Sequence, residues 1–182
     1  MGKIKRVIQL FLLRRAMKKL EYERRVVGYD KAKNIALLFD AGTDGRPVFI
    51  SQIINKLRSD GKLVSALGFF NQKRIPEGIK SIDGVSYCSK RSFSLWMQPG
   101  SETVKAFVKK PYELMIDLTI DDSFMVKYVA GITKAFYKAG AHHPDYLSVY
   151  DLLLHIDHKT TDEKLADYAV HYLKIIKTPE EK

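Results

Sequence analysis

Six short apolar stretches, separated by segments of helical period, constrain this chain more than any other feature. They are NIALLFD at 34–40, LVSALGFF at 63–70, VSYC at 85–88, YELMIDLT at 112–119, AFYKA at 135–139 and YDLLLHID at 150–157. Each has the length of a strand, and their near-continuous apolar character suits strands covered on both faces, as in a parallel sheet. The intervening segments repeat apolar residues every three or four positions. Phe49, Ile50, Ile53, Ile54 and Leu57 do so in 48–59, with Gly61 as the stop. Val104, Phe107 and Val108 do so behind Ser101, which can cap a helix over 101–109. Asp121, Asp122 and Ser123 offer caps for a helix over 124–132, and Thr160–Thr161 opens one through 176. Alternating strands and helices predict an α/β fold: a three-layer Rossmann-like domain, its sheet mostly parallel, with helices on both faces.

The charge is unevenly placed. Lys and Arg number 31 against 21 acids, a net +10. Residues 1–25 hold nine of these bases (Lys3, Lys5, Arg6, Arg14, Arg15, Lys18, Lys19, Arg24 and Arg25) and only Glu21 and Glu23 as acids, so they carry most of the excess. No Pro or Gly interrupts residues 3–27, which predicts one long helix. The expected organisation is a basic N-terminal arm over 1–27 and a single α/β domain over 28–182. Leu10, Leu13, Met17 and Leu20 share one face of the helix, with Arg14, Arg15, Lys18 and Lys19 opposite. Residues 4–13 are apolar almost all round, which asks for burial in the chain's own body or against a partner.

Several classes are excluded. The single cysteine, Cys88, rules out an internal disulfide framework and a cysteine-based zinc site, and points to a reducing, cytoplasmic setting. The longest apolar run, 7–13, is stopped by Arg14 and Arg15, far short of the about 20 residues a bilayer span requires. No small-residue cleavage site follows the basic start, and Arg6 stands where a myristoylation signal after Met1-Gly2 wants Ser or Thr. The loop after the first strand, Ala41-Gly42-Thr43-Asp44-Gly45, is neither G-x-G-x-x-G nor a P-loop, and no G-x-S-x-G elbow is present.

Ligands of open α/β sheets sit beyond the C-terminal ends of the strands, where this chain places Asp40, Asp117, Asp121, Asp122 and Asp157. Converging carboxylates hold Mg²⁺. NIALLFDAGTDG and IDLTIDDSF are similar to motifs of PIN-like nucleases, a resemblance that implies Asp40, Asp117, Asp121 and Asp122 as Mg²⁺ ligands. The inert reading makes Asp121 and Asp122 helix caps and Asp44 a turn residue. His142-His143 reads as a surface loop, His155 as a core residue, and His158 and His171 lack companions at ligand spacing, so no metal site is assigned. Cys88 reads as a buried thiol, although Lys90 and Arg91 beside it would lower its pKa. Lys90-Arg91-Ser92-Phe93-Ser94-Leu95-Trp96 interleaves bases with aromatics, suited to stacking nucleic-acid bases or to anchoring the loop by Phe93, Leu95 and Trp96.

The basic helix, DKAKNIALLFDA, DGKLVSALGF and YELMIDLTIDDSF together resemble a bacterial family of uncharacterised proteins, from about residue 3 to 176. The resemblance carries no activity or catalytic residues. YELMIDLTIDDSFMVKYVAGITKAFYKAG is similar to the strand–helix–strand of the N-terminal domain of heptosyltransferase-type glycosyltransferases. This supports a Rossmann-like architecture; the sugar nucleotide of those enzymes is bound mainly by a second domain, for which this chain is too short. The functional expectation is a non-catalytic accessory protein whose nine N-terminal bases dock on RNA or the ribosome without a cofactor. The alternatives are the Mg²⁺-dependent nuclease and a peripheral protein on an anionic membrane surface. The apolar face of residues 4–20 is a candidate contact for a protein partner.

Overall fold

The computed structural model describes residues 3–42, 46–157 and 159–179. The loop residues 43–45, with Asp44, and His158 lie outside the described residues, as do Met1 and Gly2. The chain runs α1 (Lys3–Lys18), β1 (Asn34–Asp40), α2 (Arg46–Ser59), β2 (Leu63–Phe70), β3 (Val85–Ser89), α3 (Glu102–Lys109), β4 (Tyr112–Asp117), α4 (Phe124–Ile132), β5 (Ala135–Ala141), β6 (Leu152–Leu154) and α5 (Asp162–Ile175). The strands form one sheet in the order β3-β2-β1-β4-β5-β6, and every neighbouring pair is parallel. The strand order reverses between β1 and β4, the arrangement of a Rossmann fold. The expected three-layer architecture is therefore present.

Alternate residues of each central strand point to opposite faces. Ile35, Leu37, Phe39, Leu114 and Ile116 join Ile50, Ile54 and Leu57 of α2 and Leu165, Ala169 and Leu173 of α5 in one core. Ala36, Leu38 and Met115 join Val104 and Phe107 of α3, Val126 and Val129 of α4, and Leu13 of α1 in the other. Helix α1 does not touch the sheet broadly; it lies on the outside of α4. The molecule thus has a partial fourth layer.

Several elements differ from the sequence expectation; β5, for one, runs on through Gly140 to Ala141. Helix α1 ends at Lys18 instead of reaching residue 27. Beyond it the backbone must reach the sheet and α5, and it does so extended: the Arg25 N–H donates to Phe136 O (3.1 Å), and the Tyr29 N–H to Leu173 O (3.2 Å). A side chain at Gly28 would run into the Ile176 carbonyl, so this strap passes α5 at backbone distance. Strand β4 stops at Asp117, because the Asp117 carboxylate accepts from the Thr119 N–H (2.8 Å) and turns the chain. Strand β6 spans only Leu152–Leu154: before it the Tyr150 hydroxyl turns to Asp117 and the Asp151 carboxylate takes the Lys138 N–H, and after it Asp157 closes a turn. Ser123 occupies the N-cap of α4, yet no side chain caps it; Asp122 turns away to Arg6.

Candidate functional site

Most of the acids at the strand ends are held by partners of their own. Asp40 Oδ1 accepts from the Gly42 N–H (2.8 Å) and closes the turn leaving β1. Asp117 is fully buried, and both of its oxygens are engaged. Oδ1 takes the Thr119 N–H; Oδ2 takes the Lys127 ammonium (2.8 Å) and the Tyr150 hydroxyl. Lys127 also donates to the Thr119 carbonyl (3.0 Å). Burial, with the Asp117 charge beside it, raises the Tyr150 pKa well above its ordinary value, so this hydroxyl stays protonated and donates. Asp122 accepts from Tyr146 (2.9 Å) and from Arg6 (3.1 Å). Asp121 is exposed. Among the described residues, no three or more His, Cys, Asp and Glu side chains are grouped to hold a metal ion. His142 and His155 stack with ring centroids 5.4 Å apart on the surface, so His155 is not the core residue expected. Burial pushes the Cys88 thiol pKa up to about 12, the opposite of the lowering expected from Lys90 and Arg91.

The nine N-terminal bases divide into two groups. Arg6 donates to Asp145 (2.8 Å) and to the Tyr146 hydroxyl (2.8 Å), and its guanidinium lies 4.9 Å over the Tyr146 ring. Arg24 donates to the Ser148 carbonyl (3.0 Å) and the Val149 carbonyl, and faces Asp151. Arg25 stacks 4.1 Å over Phe136. These three pin α1 and the strap to the body; Arg6 is half-buried, while Arg24 and Arg25 remain exposed but are engaged with partners in the chain. Lys3, Lys5, Arg14, Arg15, Lys18 and Lys19 are exposed.

Helical geometry then sorts α1 into two faces. Leu10, Leu13, Met17 and, just past the helix, Leu20 turn toward α4, where Leu13 and Met17 cover Gly131 so closely that a Cβ there would clash with Leu13. On the opposite face, Ile4, Val7, Ile8 and Phe11 recur at spacings of three and four and are 78%, 67%, 53% and 61% exposed. The same stripe continues as Arg14, Arg15, Lys18 and Lys19. One outward stripe is therefore apolar in its first half and basic in its second. The chain's own body covers the segment 4–13 on one side only and leaves the other side open.

Beside this face stands a tight turn over 93–99. Phe93 is buried and bridges Pro99, while the Ser94 N–H donates to the Gln98 carbonyl (2.9 Å). Met97 holds φ at 63°, a left-handed conformation costly for a side chain of its size. Leu95 and Trp96 at the tip are 98% and 73% exposed, so Phe93, with the half-buried Met97, anchors this loop and they do not. Among the described residues, no helix is long and apolar enough to cross a membrane.

The sequence from 5 to 176, spanning α1, the strap and the whole sheet, matches a single family model described as a family of unknown function, DUF6913. The chain belongs to that family. DUF6913 assigns it no activity, in keeping with the resemblance drawn from its motifs. No curated protein matches the chain. Among solved structures it is similar to E. coli heptosyltransferase WaaC with ADP-2-deoxy-2-fluoro heptose, at 12% identity and a TM-score of 0.49, over 81% of this chain and 50% of that one. It is likewise similar to the same enzyme with ADP, at 11% identity and a TM-score of 0.48, over 81% of this chain and 49% of that one. The chain spans about half the length of the structures it matches.

The sequence did not reveal the Asp117–Lys127–Tyr150 cluster or the use of Arg6. A cue for the first was present: Lys127 is the one charge within the apolar segment FMVKYVAGI. Nothing local marks Arg6, whose partners lie more than a hundred residues away.

Proposed function

We propose that this chain is a peripheral protein that docks on an anionic membrane surface through the outward stripe of α1. The observation that carries the reading is the exposure of Ile4, Val7, Ile8 and Phe11 in line with Arg14, Arg15, Lys18 and Lys19. An exposed apolar patch rimmed by charge marks an interaction surface. Helices that lie in the headgroup region combine apolar anchors with basic residues in this way. Each base near an anionic leaflet contributes about 1 kcal/mol, and the apolar side chains add burial in the acyl boundary. RNA or a ribosome would use the bases alone and leave four large apolar side chains without a role. With Arg6, Arg24 and Arg25 committed to intramolecular partners, the basic footprint open to RNA is also smaller than the composition suggested.

The test is co-sedimentation of the full chain with vesicles of phosphatidylcholine alone and of phosphatidylcholine containing phosphatidylglycerol. Binding is expected only to the second, falling with added salt, and lost when Ile4 and Phe11 are both changed to Ser. Absence of vesicle binding together with salt-sensitive binding to ribosomes or single-stranded RNA would overturn the reading.

A further inference from the structure

A groove of about 520 Å³ runs between α1 and the 93–99 turn. Its floor is Leu12 and Ala16 of α1 with Tyr128 and Ile132 of α4; Arg15 and Lys19 stand on one rim and Trp96 on the other. Its volume is within the range of small-molecule sites. We infer that this groove holds one molecule of an anionic phospholipid, its phosphate between Arg15 and Lys19 and the first part of an acyl chain on the apolar floor.

Three observations support that occupant. The rim charge is positive and the floor is apolar, so the groove complements a ligand with a negative end and a hydrocarbon end. Trp96 lines the groove and is 73% exposed although Phe93, three residues earlier, is buried; the turn's own anchoring does not need it. Met97 keeps a strained φ of 63° that shapes the tip carrying Trp96, and strain of this kind recurs at ligand-binding positions. A nucleotide would also find bases and an indole there, but it would leave the apolar floor of Leu12, Ala16 and Ile132 without a contact. The inference deepens the membrane reading, since the same helix carries the outward stripe on the adjoining face, but the two fail separately.

The experiment uses the full chain and dihexanoyl phosphatidylglycerol below its micelle concentration, so that single lipid molecules are offered without a bilayer. Trp96 is the chain's one tryptophan and reports the site directly. A saturable one-to-one blue shift of its emission is expected. The dissociation constant should be at least tenfold weaker for dihexanoyl phosphatidylcholine and for glycerol phosphate, which lacks the chains. Ala16→Phe fills the floor and should abolish the shift. Because that substitution could disturb α1, the exposed pair Arg15→Gln and Lys19→Gln is the second variant, expected to weaken binding tenfold or more with unchanged thermal unfolding. No saturable shift, or a shift unaffected by both variants, overturns the inference even if vesicle co-sedimentation persists. A shift produced by a single-stranded oligonucleotide and not by the lipid overturns it in favour of nucleic acid. A lipid shift without vesicle binding leaves the groove standing and removes the surface reading.

Discussion

Helices α4 and α5 cover the same sheet from opposite sides, but only one of them meets solvent in the usual way. In α5, Leu165, Ala166, Ala169, Val170 and Leu173 are buried, and the residues between them are largely exposed. In α4, eight of nine residues are buried, Lys127 and Gly131 included. The difference is α1, which lies on α4 and has no counterpart over α5. An all-round apolar helix flanking a sheet therefore signals a further layer. It also requires each polar group within it to find an internal partner. Lys127 meets this by bonding Asp117 and Thr119 under β4.

That contrast can be broken most strongly at Lys127. Lys127→Met leaves the Asp117 carboxylate buried without its cation and should cost about 3–5 kcal/mol in urea unfolding. Adding Asp117→Asn should recover much of it. Lys174→Met, which removes only a half-exposed pair with Asp60 (3.2 Å) and a contact over the Tyr29 ring, should cost about 1 kcal/mol or less. The next effect tests the layer itself. Leu13→Ala removes the contact over Gly131 and should cost about 3 kcal/mol by the same measurement, as buried leucine truncations do.

A third test concerns the carboxyl end of α4. Lys138 is buried beneath the Tyr22 ring, and its ammonium donates to the carbonyls of Ala130 (2.8 Å) and Gly131 (3.2 Å). Burial, and then the nearby Arg24 charge, pushes its pKa down to about 7 from 10.5. Between those pH values the unfolded chain holds a proton that the folded chain has released. Stability should therefore rise with pH across this window, by at most about 1.4 kcal/mol per pH unit, and the destabilisation is complete below pH 7. The difference between wild type and Lys138→Met, followed by chemical denaturation from pH 6.5 to 9.5, should show that slope; a flat difference would refute it. The smallest effect distinguishes the two helix starts. Thr161 caps α5 by accepting from the Lys164 N–H, whereas Ser123 makes no such bond at α4. Thr161→Ala should cost about 1 kcal/mol and Ser123→Ala close to nothing in thermal unfolding.

Much of this architecture was legible in the sequence. Strands β1 and β2 fall where their apolar runs place them, because a strand buried on both faces can hardly be written in other residues. Ser101 and Thr161 cap α3 and α5 as their positions indicate. Where the readings differ, a distant partner intervenes. Residues 19–27 have good helix-forming composition, yet Phe136, Leu173 and the backbone near Ile176 draw the strap out straight. Asp122 stands at a cap position, and Arg6 takes it. The candidate site was half legible. The spacing of Leu10, Leu13, Met17 and Leu20 identified one face of α1, and the bases opposite identified the other.

What the sequence determined by itself is the periodicity: which segments are strands, which are helices, and which side of each helix is apolar, since these follow from local geometry. What only the tertiary structure decided is which apolar side is covered. Residues 4–13 are apolar on both sides, and either could have packed on α4. Arg6 reaching Asp122 and Asp145, with Leu13 seated on Gly131, fixes the rotation of the helix and leaves Ile4, Val7, Ile8 and Phe11 outside. Those contacts join residues more than a hundred positions apart, and no local pattern in the chain specifies them.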